Sequence, residues 1–216
     1  MIIKNLTEEN LGNNGKRVAG EIHWEDCNRP VDKVFFEIGR EQQDKIFLNA
    51  SSFLLASFIP AIKRNEKRIR IDDSICTELL VGVQRVASII SNWFYPDQKS
   101  QLKIETKNSA SITTCNQADT KSGFFFSGGI DSLATLLRNK KIYPKDHQNC
   151  IHYGITVCGL EIETEEQLVH VDKRLNIIAD NVGIERIVLN TNVRSIDTDW
   201  QFWEHQWQGS VLASIA

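Results

Sequence analysis

The chain has 216 residues, of which 41% are hydrophobic, enough to form an ordinary globular core. Lys and Arg total 25 against 28 Asp and Glu, a net charge of −3, which excludes the strongly basic composition of proteins that wrap nucleic acid. No uncharged apolar run reaches the roughly 18 residues of a membrane span, and the amino terminus lacks the features of a secretory signal. The five cysteines form no Cys-x-x-Cys pair, which fits reduced thiols. We expect a cytoplasmic protein without membrane contact.

The first 118 residues predict a small α+β domain that carries no catalytic constellation of its own. A polar segment at the start ends in the turn cluster Gly12-Asn13-Asn14-Gly15. The elements predicted after it are antiparallel strands over residues 17–24 and 31–38, a helix over 53–59 that is capped by Asn49 or Ser51 and meets Pro60, a strand over 69–72, a helix over 75–93 that is capped by Asp73 or Ser74, and a strand over 102–106. A connector rich in Ser, Thr and Asn follows over residues 108–120.

From about residue 119 onwards, strands and helices alternate strictly. This order predicts an α/β domain over residues 119–216, with a doubly wound parallel sheet as in a Rossmann fold. The predicted elements are strands over 123–126, 150–157 and 186–189, a helix that ends near residue 139, a helix over 164–182 capped by Thr164, and a helix from Trp207 or Gly209 to Ala216. Because the sequence stops inside this helix without a stop signal, we expect the domain to be incomplete at its carboxyl end.

The functional site is predicted to lie in the turn between the first of these strands and the helix that follows it. The sequence of this turn is Phe126-Ser127-Gly128-Gly129-Ile130-Asp131-Ser132. Adjacent glycines let the backbone approach a ligand and adopt positive φ, and a helix start directs free N–H groups and the positive end of its dipole to the same point. The turn therefore predicts an anion site, with the hydroxyls of Ser127 and Ser132 as further donors. The Asp131 carboxylate would repel a phosphate unless a cation lies between them, so we predict Mg²⁺ bound through Asp131.

The run from Ser127 to Ser132 resembles the Ser-Gly-Gly-x-Asp-Ser signature of the N-type ATP pyrophosphatases, the PP-loop family, and matches all five of its specified positions. The resemblance implies ATP and Mg²⁺ as cofactors and adenylation as the reaction. An acceptor carboxylate or carbonyl oxygen attacks the α-phosphate, pyrophosphate leaves, and a nucleophile such as ammonia displaces AMP. It also implies that Ser127, Asp131 and Ser132 are catalytic, that residues Phe126 to Ser132 bind the nucleotide, and that Asp131 binds the metal.

Within this family the chain is most similar to the 7-cyano-7-deazaguanine synthases, over roughly residues 122–216. The similarity includes the segment from Gln208 to Ala216, which resembles that group's Gly-Arg-Asn sequence and the apolar helix after it. Ser210 stands where the group has arginine. The sequence Thr156-Val157-Cys158-Gly159-Leu160 stands where the group has Asp-Tyr-Gly-Gln-Arg-His. The resemblance implies a deazapurine carboxylate as one acceptor to consider.

Three loops should converge, because ligands of open α/β sheets bind beyond the carboxyl ends of the strands. These loops cover residues 127–132, 158–164 and 190–203. We expect backbone groups at the edge of the second strand, around Tyr153 to Ile155 and including Gly154, to contact adenine. The side chains of the third loop that are predicted to line a second-substrate pocket are Arg194, Asp197, Asp199, Trp200, Trp203 and His205.

Two other functions stay open. One is tRNA base thiolation on the same fold, for which Cys158 is the cysteine placed near the turn. The other is a regulatory module that binds ATP without turning it over. The predicted partners are ATP and a small-molecule or macromolecular acceptor. The sequence leaves open whether that acceptor is a nucleic acid, although the net charge does not support one, and whether the chain forms homo-oligomers.

Overall fold

The computed structural model describes residues 1–98, 101–107, 109–110, 121–161 and 165–216. Within these ranges the strands are β1 (Ile2–Asn10), β2 (Lys16–His23), β3 (Asp32–Ile38), β4 (Arg68–Ile71), β5 (Ile75–Cys76), β6 (Lys103–Thr106), β7 (Ser109–Ala110), β8 (Ser122–Phe125), β9 (Ile151–Cys158) and β10 (Glu185–Thr191). Eight of them form one sheet in the order β6-β4-β1-β2-β3-β10-β9-β8, and β5 pairs with β7 separately.

The helices of the described ranges are α1 (Ala50–Lys63), α2 (Thr77–Phe94), α3 (Ile130–Ile142), α4 (Glu165–Val182), α5 (Trp200–Phe202) and α6 (Gln208–Ile215). A π-helical turn, Trp203–Trp207, connects α5 to α6. Short 3₁₀ helices cover Gly12–Asn14, Arg40–Lys45 and Val193–Ile196. None of the helices in the described part of the chain is long and apolar enough to cross a membrane.

The sheet contains strands from both predicted domains, because β3 pairs with β10. This pairing is antiparallel and places Leu189 opposite Ile38. Just beyond β10, the Asn192 side chain accepts a hydrogen bond from the Phe35 N–H at 2.9 Å and donates one to the Lys33 carbonyl at 2.7 Å. Across the sheet four neighbouring pairs are parallel and three are antiparallel.

Helices cover both faces of the sheet. On one face, α3 and α4 enclose a small apolar cluster that includes Leu136 and Leu175. On the other face, α1, α2 and α6 enclose a larger cluster. The alternation of β10 separates the two faces: Leu189 belongs to the larger cluster, whereas Arg186 reaches α4. The predicted α/β class is thus confirmed, with a mostly parallel central sheet between helices.

Several local predictions can be compared with the structure. The predicted strands correspond to β2, β3, β4, β6, β8, β9 and β10, and β2 and β3 are antiparallel neighbours as expected. Asn49 caps α1 by accepting a hydrogen bond from the Ser51 N–H at 2.9 Å, and Pro60 lies inside that helix. The predicted cap of α2 is wrong, because Ile75–Cys76 pairs with β7 and the helix begins at Thr77.

The polar start of the chain also differs from the prediction. Ile2–Asn10 forms a strand, because it pairs with β2 on one side and with β4 on the other, and Ile3 is buried in the larger cluster. The predicted cap Thr164 and the connector over residues 108–120, apart from β7, lie outside the described residues.

Replacing Trp207 tests whether the two halves of the chain share one core. Its indole is fully buried, and its Nε1–H donates to the carbonyl of Ala56 on α1 at 2.9 Å. We expect Trp207→Ala to lower the free energy of unfolding by about 4 kcal/mol, through a lost hydrogen bond and a large cavity. Urea unfolding followed by circular dichroism measures the loss. The control Trp200→Ala, at a side chain that is 51% exposed, should cost about 1 kcal/mol or less. Equal losses would contradict the shared core.

Candidate functional site

The glycine turn, residues 127–129, lies at the carboxyl end of β8, an edge strand of the described sheet. The Phe126 N–H donates to the carbonyl of Ile155 at 2.7 Å, so the pairing with β9 continues one residue beyond β8. The Phe126 side chain is fully buried in the small cluster under α3 and α4. The chain therefore leaves the sheet at Ser127, and α3 begins three residues later at Ile130.

Gly128 has a φ of 75°, in the left-handed region that favours glycine. A Cβ at this position would lie 2.6 Å from Cδ2 of Leu175 on α4, so packing also requires glycine. Gly129 has a φ of −71°, and a Cβ there would meet only the Ser127 hydroxyl, at 3.4 Å. The shape of the turn thus depends on Gly128 and on its contact with α4.

The turn directs hydrogen-bond donors outwards. Gly129 is the N-cap of α3 but has no side chain to cap the helix, and the N–H groups of Ile130, Asp131 and Ser132 have no partner within the described chain. The Ser127 hydroxyl accepts from the Gly129 N–H at 3.3 Å, and the Ser132 hydroxyl donates to the Gly129 carbonyl at 2.8 Å. Free N–H groups at the positive end of a helix dipole favour an anion.

Asp131 is the second residue of α3 and is exposed. Its carboxylate makes no hydrogen bond or ion pair within the described chain, so it is free to bind a cation. No cluster of three or more His, Cys, Asp or Glu side chains suited to a metal occurs in the described ranges. A cation at Asp131 would therefore take its other oxygens from water or from a ligand such as a polyphosphate, as Mg²⁺ does. The residues present fit Mg²⁺ in that form.

A cavity of about 340 Å³ opens beside the turn and shares Ser127 with it. This volume lies within the range of roughly 300–1,000 Å³ that is typical of small-molecule sites. The apolar side chains that line it include Phe125, Ile155, Leu160, Trp203 and Leu212. In its wall, the Gln208 side-chain amide donates to the Glu161 carboxylate at 3.2 Å. A larger groove of about 890 Å³, between α2 and β6, contains none of the predicted site residues.

The structure does not bring Tyr153 and Gly154 to the turn. β9 pairs with β10 on one side and with β8 on the other, so it is an interior strand and not an edge. The Tyr153 ring lies 4.4 Å from the Lys45 ammonium, and Gly154 is buried against Phe126. Of the predicted segment from Tyr153 to Ile155, Ile155 is the residue that lines the cavity.

Of the residues predicted from the third loop, Trp203 is the one that lines the cavity. The Arg194 guanidinium lies over Trp203 and Trp200, with centroid distances of 4.6 and 5.2 Å. His205 is exposed. The aromatic part of the loop thus forms a stacked group that supports one wall of the cavity.

The two aspartates of this loop have structural partners. Asp197 is buried and forms ion pairs with Lys63 at 3.0 Å and Arg64 at 2.7 Å. Burial acts to raise the pKa of the Asp197 carboxyl, but the Asp199 N–H and these cations outweigh it and hold the pKa below its usual value. Asp199 caps α5 through the Phe202 N–H at 3.2 Å. Both carboxylates therefore stabilise the fold.

Sequence reasoning missed residues that shape the site from a distance. Leu175 contacts Gly128 from α4, and the Thr156 hydroxyl donates to the Phe126 carbonyl at 3.0 Å. Ser210 donates to the Leu55 carbonyl on α1 and does not line the cavity. The apolar periodicity of α4 could have indicated Leu175 as a buried residue, but no local pattern indicates which loop it meets.

Comparison with family models, with curated proteins and with solved structures found no match for this chain. The fold and the site define an α/β protein with a candidate anion-binding turn beside a cavity of small-molecule size.

Substitution of the two glycines by alanine tests the geometry of the turn. We expect Gly128→Ala to lower the free energy of unfolding by about 2 kcal/mol, because alanine is strained at positive φ and its Cβ collides with Leu175. Gly129→Ala should change it by no more than about 0.5 kcal/mol. Chemical denaturation of both variants gives the comparison. The described turn would be wrong if Gly129→Ala were the more damaging change.

Proposed function

We propose that this protein is an ATP-dependent synthase of the PP-loop type, which adenylates a carboxylate or carbonyl oxygen of an acceptor and releases pyrophosphate. The observation that carries the proposal is the complete signature from Ser127 to Ser132, placed where a strand ends and a helix begins. A left-handed glycine lies there, together with three N–H groups and a carboxylate that have no partner among the described residues. These are the features that a nucleotide polyphosphate with a cation requires.

In the proposed reaction, an acceptor oxygen forms a bond to the α-phosphorus of ATP. The bond between that phosphorus and the oxygen that bridges to the β-phosphorus breaks, and the electron pair leaves with pyrophosphate. The N–H groups of Ile130 and Asp131 and the hydroxyl of Ser127 stabilise charge on the departing group. The Ser132 hydroxyl would do the same after turning away from the Gly129 carbonyl, to which it donates in the structure. Mg²⁺ bound through Asp131 would neutralise part of the same charge. A nucleophile such as ammonia then displaces AMP from the acceptor.

The cavity gives the proposal a place for a planar ring. Phe125, Ile155 and Trp203 supply apolar surface at the carboxyl ends of β8 and β9, and Ser127 connects the cavity to the turn. We assign this cavity to the adenine of ATP or to the ring of an acceptor such as a deazapurine carboxylate. A cytoplasmic location is part of the proposal and agrees with the four cysteines of the described ranges, which are all free thiols.

The regulatory alternative, ATP binding without turnover, is favoured by one observation. Asp197 and Asp199 are used in ion pairs and in a helix cap, so the third loop offers no free carboxylate to the turn.

Base thiolation is less well supported, because Cys158 is buried and burial raises the pKa of its thiol, which lowers the thiolate population.

Asp131→Asn tests the enzymatic proposal. The amide keeps the size of the side chain but removes the charge that would bind Mg²⁺, so we expect pyrophosphate release with a pool of candidate acids to fall about a hundredfold or more. A coupled pyrophosphate assay measures it. The control Asp146→Asn, in an exposed turn after α3, should leave the rate unchanged. Equal rates of pyrophosphate release in the wild type and Asp131→Asn would contradict the proposed mechanism. Calorimetric binding of ATP by a protein that forms no AMP would favour the regulatory module.

Cys158→Ala separates adenylation from thiolation. Because the Cys158 thiol is buried, we expect the variant to release pyrophosphate at a rate within about twofold of the wild type. Both proteins are assayed at a temperature at which both are fully folded. Loss of activity in a variant that is folded by circular dichroism would favour a thiol-dependent reaction.

A further inference from the structure

A relay of hydrogen bonds connects α4 to the glycine turn through two buried polar residues, Arg186 and Thr156. Arg186 of β10 has only 9% of its surface exposed, and its guanidinium forms an ion pair with the Asp172 carboxylate at 2.8 Å. The same guanidinium donates to the side-chain carbonyl of Asn176 and, at 3.3 Å, to the hydroxyl of Thr156. Thr156 in turn donates to the carbonyl of Phe126 at 3.0 Å.

The direction of these hydrogen bonds is fixed by chemistry. A guanidinium only donates, so Thr156 must accept from Arg186. The single hydroxyl hydrogen of Thr156 is then left for the Phe126 carbonyl, which is an acceptor. Each member of the relay therefore has one role. Because only 2% of Thr156 is exposed, loss of either bond would leave a largely buried polar group without its partner.

The relay ends at the peptide bond that precedes the turn. The carbonyl of Phe126 belongs to the same peptide unit as the N–H of Ser127, while the Phe126 N–H is fixed by Ile155. The strand end is thus restrained on both sides of Phe126. Two residues after Phe126, Leu175 of α4 restrains Gly128. The helix that carries Asp172 and Leu175 contacts the turn by two separate routes.

We propose that Thr156 and Arg186 are positioning residues, which fix the glycine turn in the conformation that binds the anion. As a statement about nucleotide binding, this rests on the proposed function. As a statement about the turn, it stands on the contacts alone. Donors in a fixed arrangement bind an anion without ordering cost, so loosening the turn should weaken binding while leaving every donor in place.

The test compares Thr156→Val, which removes the hydroxyl at nearly constant volume, with Thr156→Ser, which keeps it. In Thr156→Val we expect faster amide hydrogen exchange in peptides that cover residues 126–133, with unchanged exchange in peptides from α1. The affinity for Mg·ATP, measured by calorimetry, should fall about tenfold, the equivalent of one hydrogen bond of about 1.4 kcal/mol. Thr156→Ser should restore both values to near the wild type. Thr135→Val, at an exposed position of α3, is the matched control.

The outcomes distinguish a local effect on the turn from a general loss of stability. Local acceleration of exchange that Thr156→Ser reverses supports the relay, even if the wild type binds no ATP and the proposed function fails. Exchange that rises equally in α1 would show a merely structural role and overturn the proposal. Unchanged exchange and affinity in Thr156→Val would overturn it as well, while ATP binding by the wild type would leave the proposed function standing.

Discussion

The antiparallel pairing of β3 with β10 is the contact on which the rest of the structure depends. It joins the mixed amino-terminal strands, of which β1, β2 and β3 are antiparallel, to the parallel strands β8, β9 and β10 in one sheet. The pairing also places α6 beside α1, where Trp207 hydrogen-bonds to Ala56. Because α6 forms a wall of the cavity, residues of the amino-terminal half hold the candidate site together without entering it.

The glycine turn departs from the rules that stabilise an ordinary helix start. It has no side-chain cap, it contains a residue at positive φ, and it leaves donors unpartnered within the described chain. An Asn or Ser cap would stabilise a helix by about 1 kcal/mol, so the arrangement is a cost to the fold. Natural sequences accept such costs mainly at functional sites. The buried supports around the turn, Leu175 and Thr156, keep this geometry in place.

Local patterns in the sequence predicted much of the fold. Apolar alternation and capping residues indicated α1 and most strands of the sheet, and the signature at Ser127 indicated the turn. Prediction failed where the cause is not local. Ile2–Asn10 is a strand because of partners on both sides, and Tyr153 lies inside the sheet because β10 and β8 flank β9. Asp197 forms ion pairs with Lys63, the last residue of α1, and with Arg64, the residue after it. No spacing within the third loop could reveal these partners.

In the proposed function, the turn from Ser127 to Ser132 binds the phosphates of a nucleotide. The most direct measurement is a backbone amide NMR titration of the protein with Mg²⁺ and α,β-methylene ATP, an analogue in which the bond that the reaction breaks is blocked. We expect the largest shifts at the amides of Gly128 to Ser132, with smaller ring-current shifts at Ile155. Shifts confined to another surface, such as the groove between α2 and β6, or no saturable shifts at all, would contradict it.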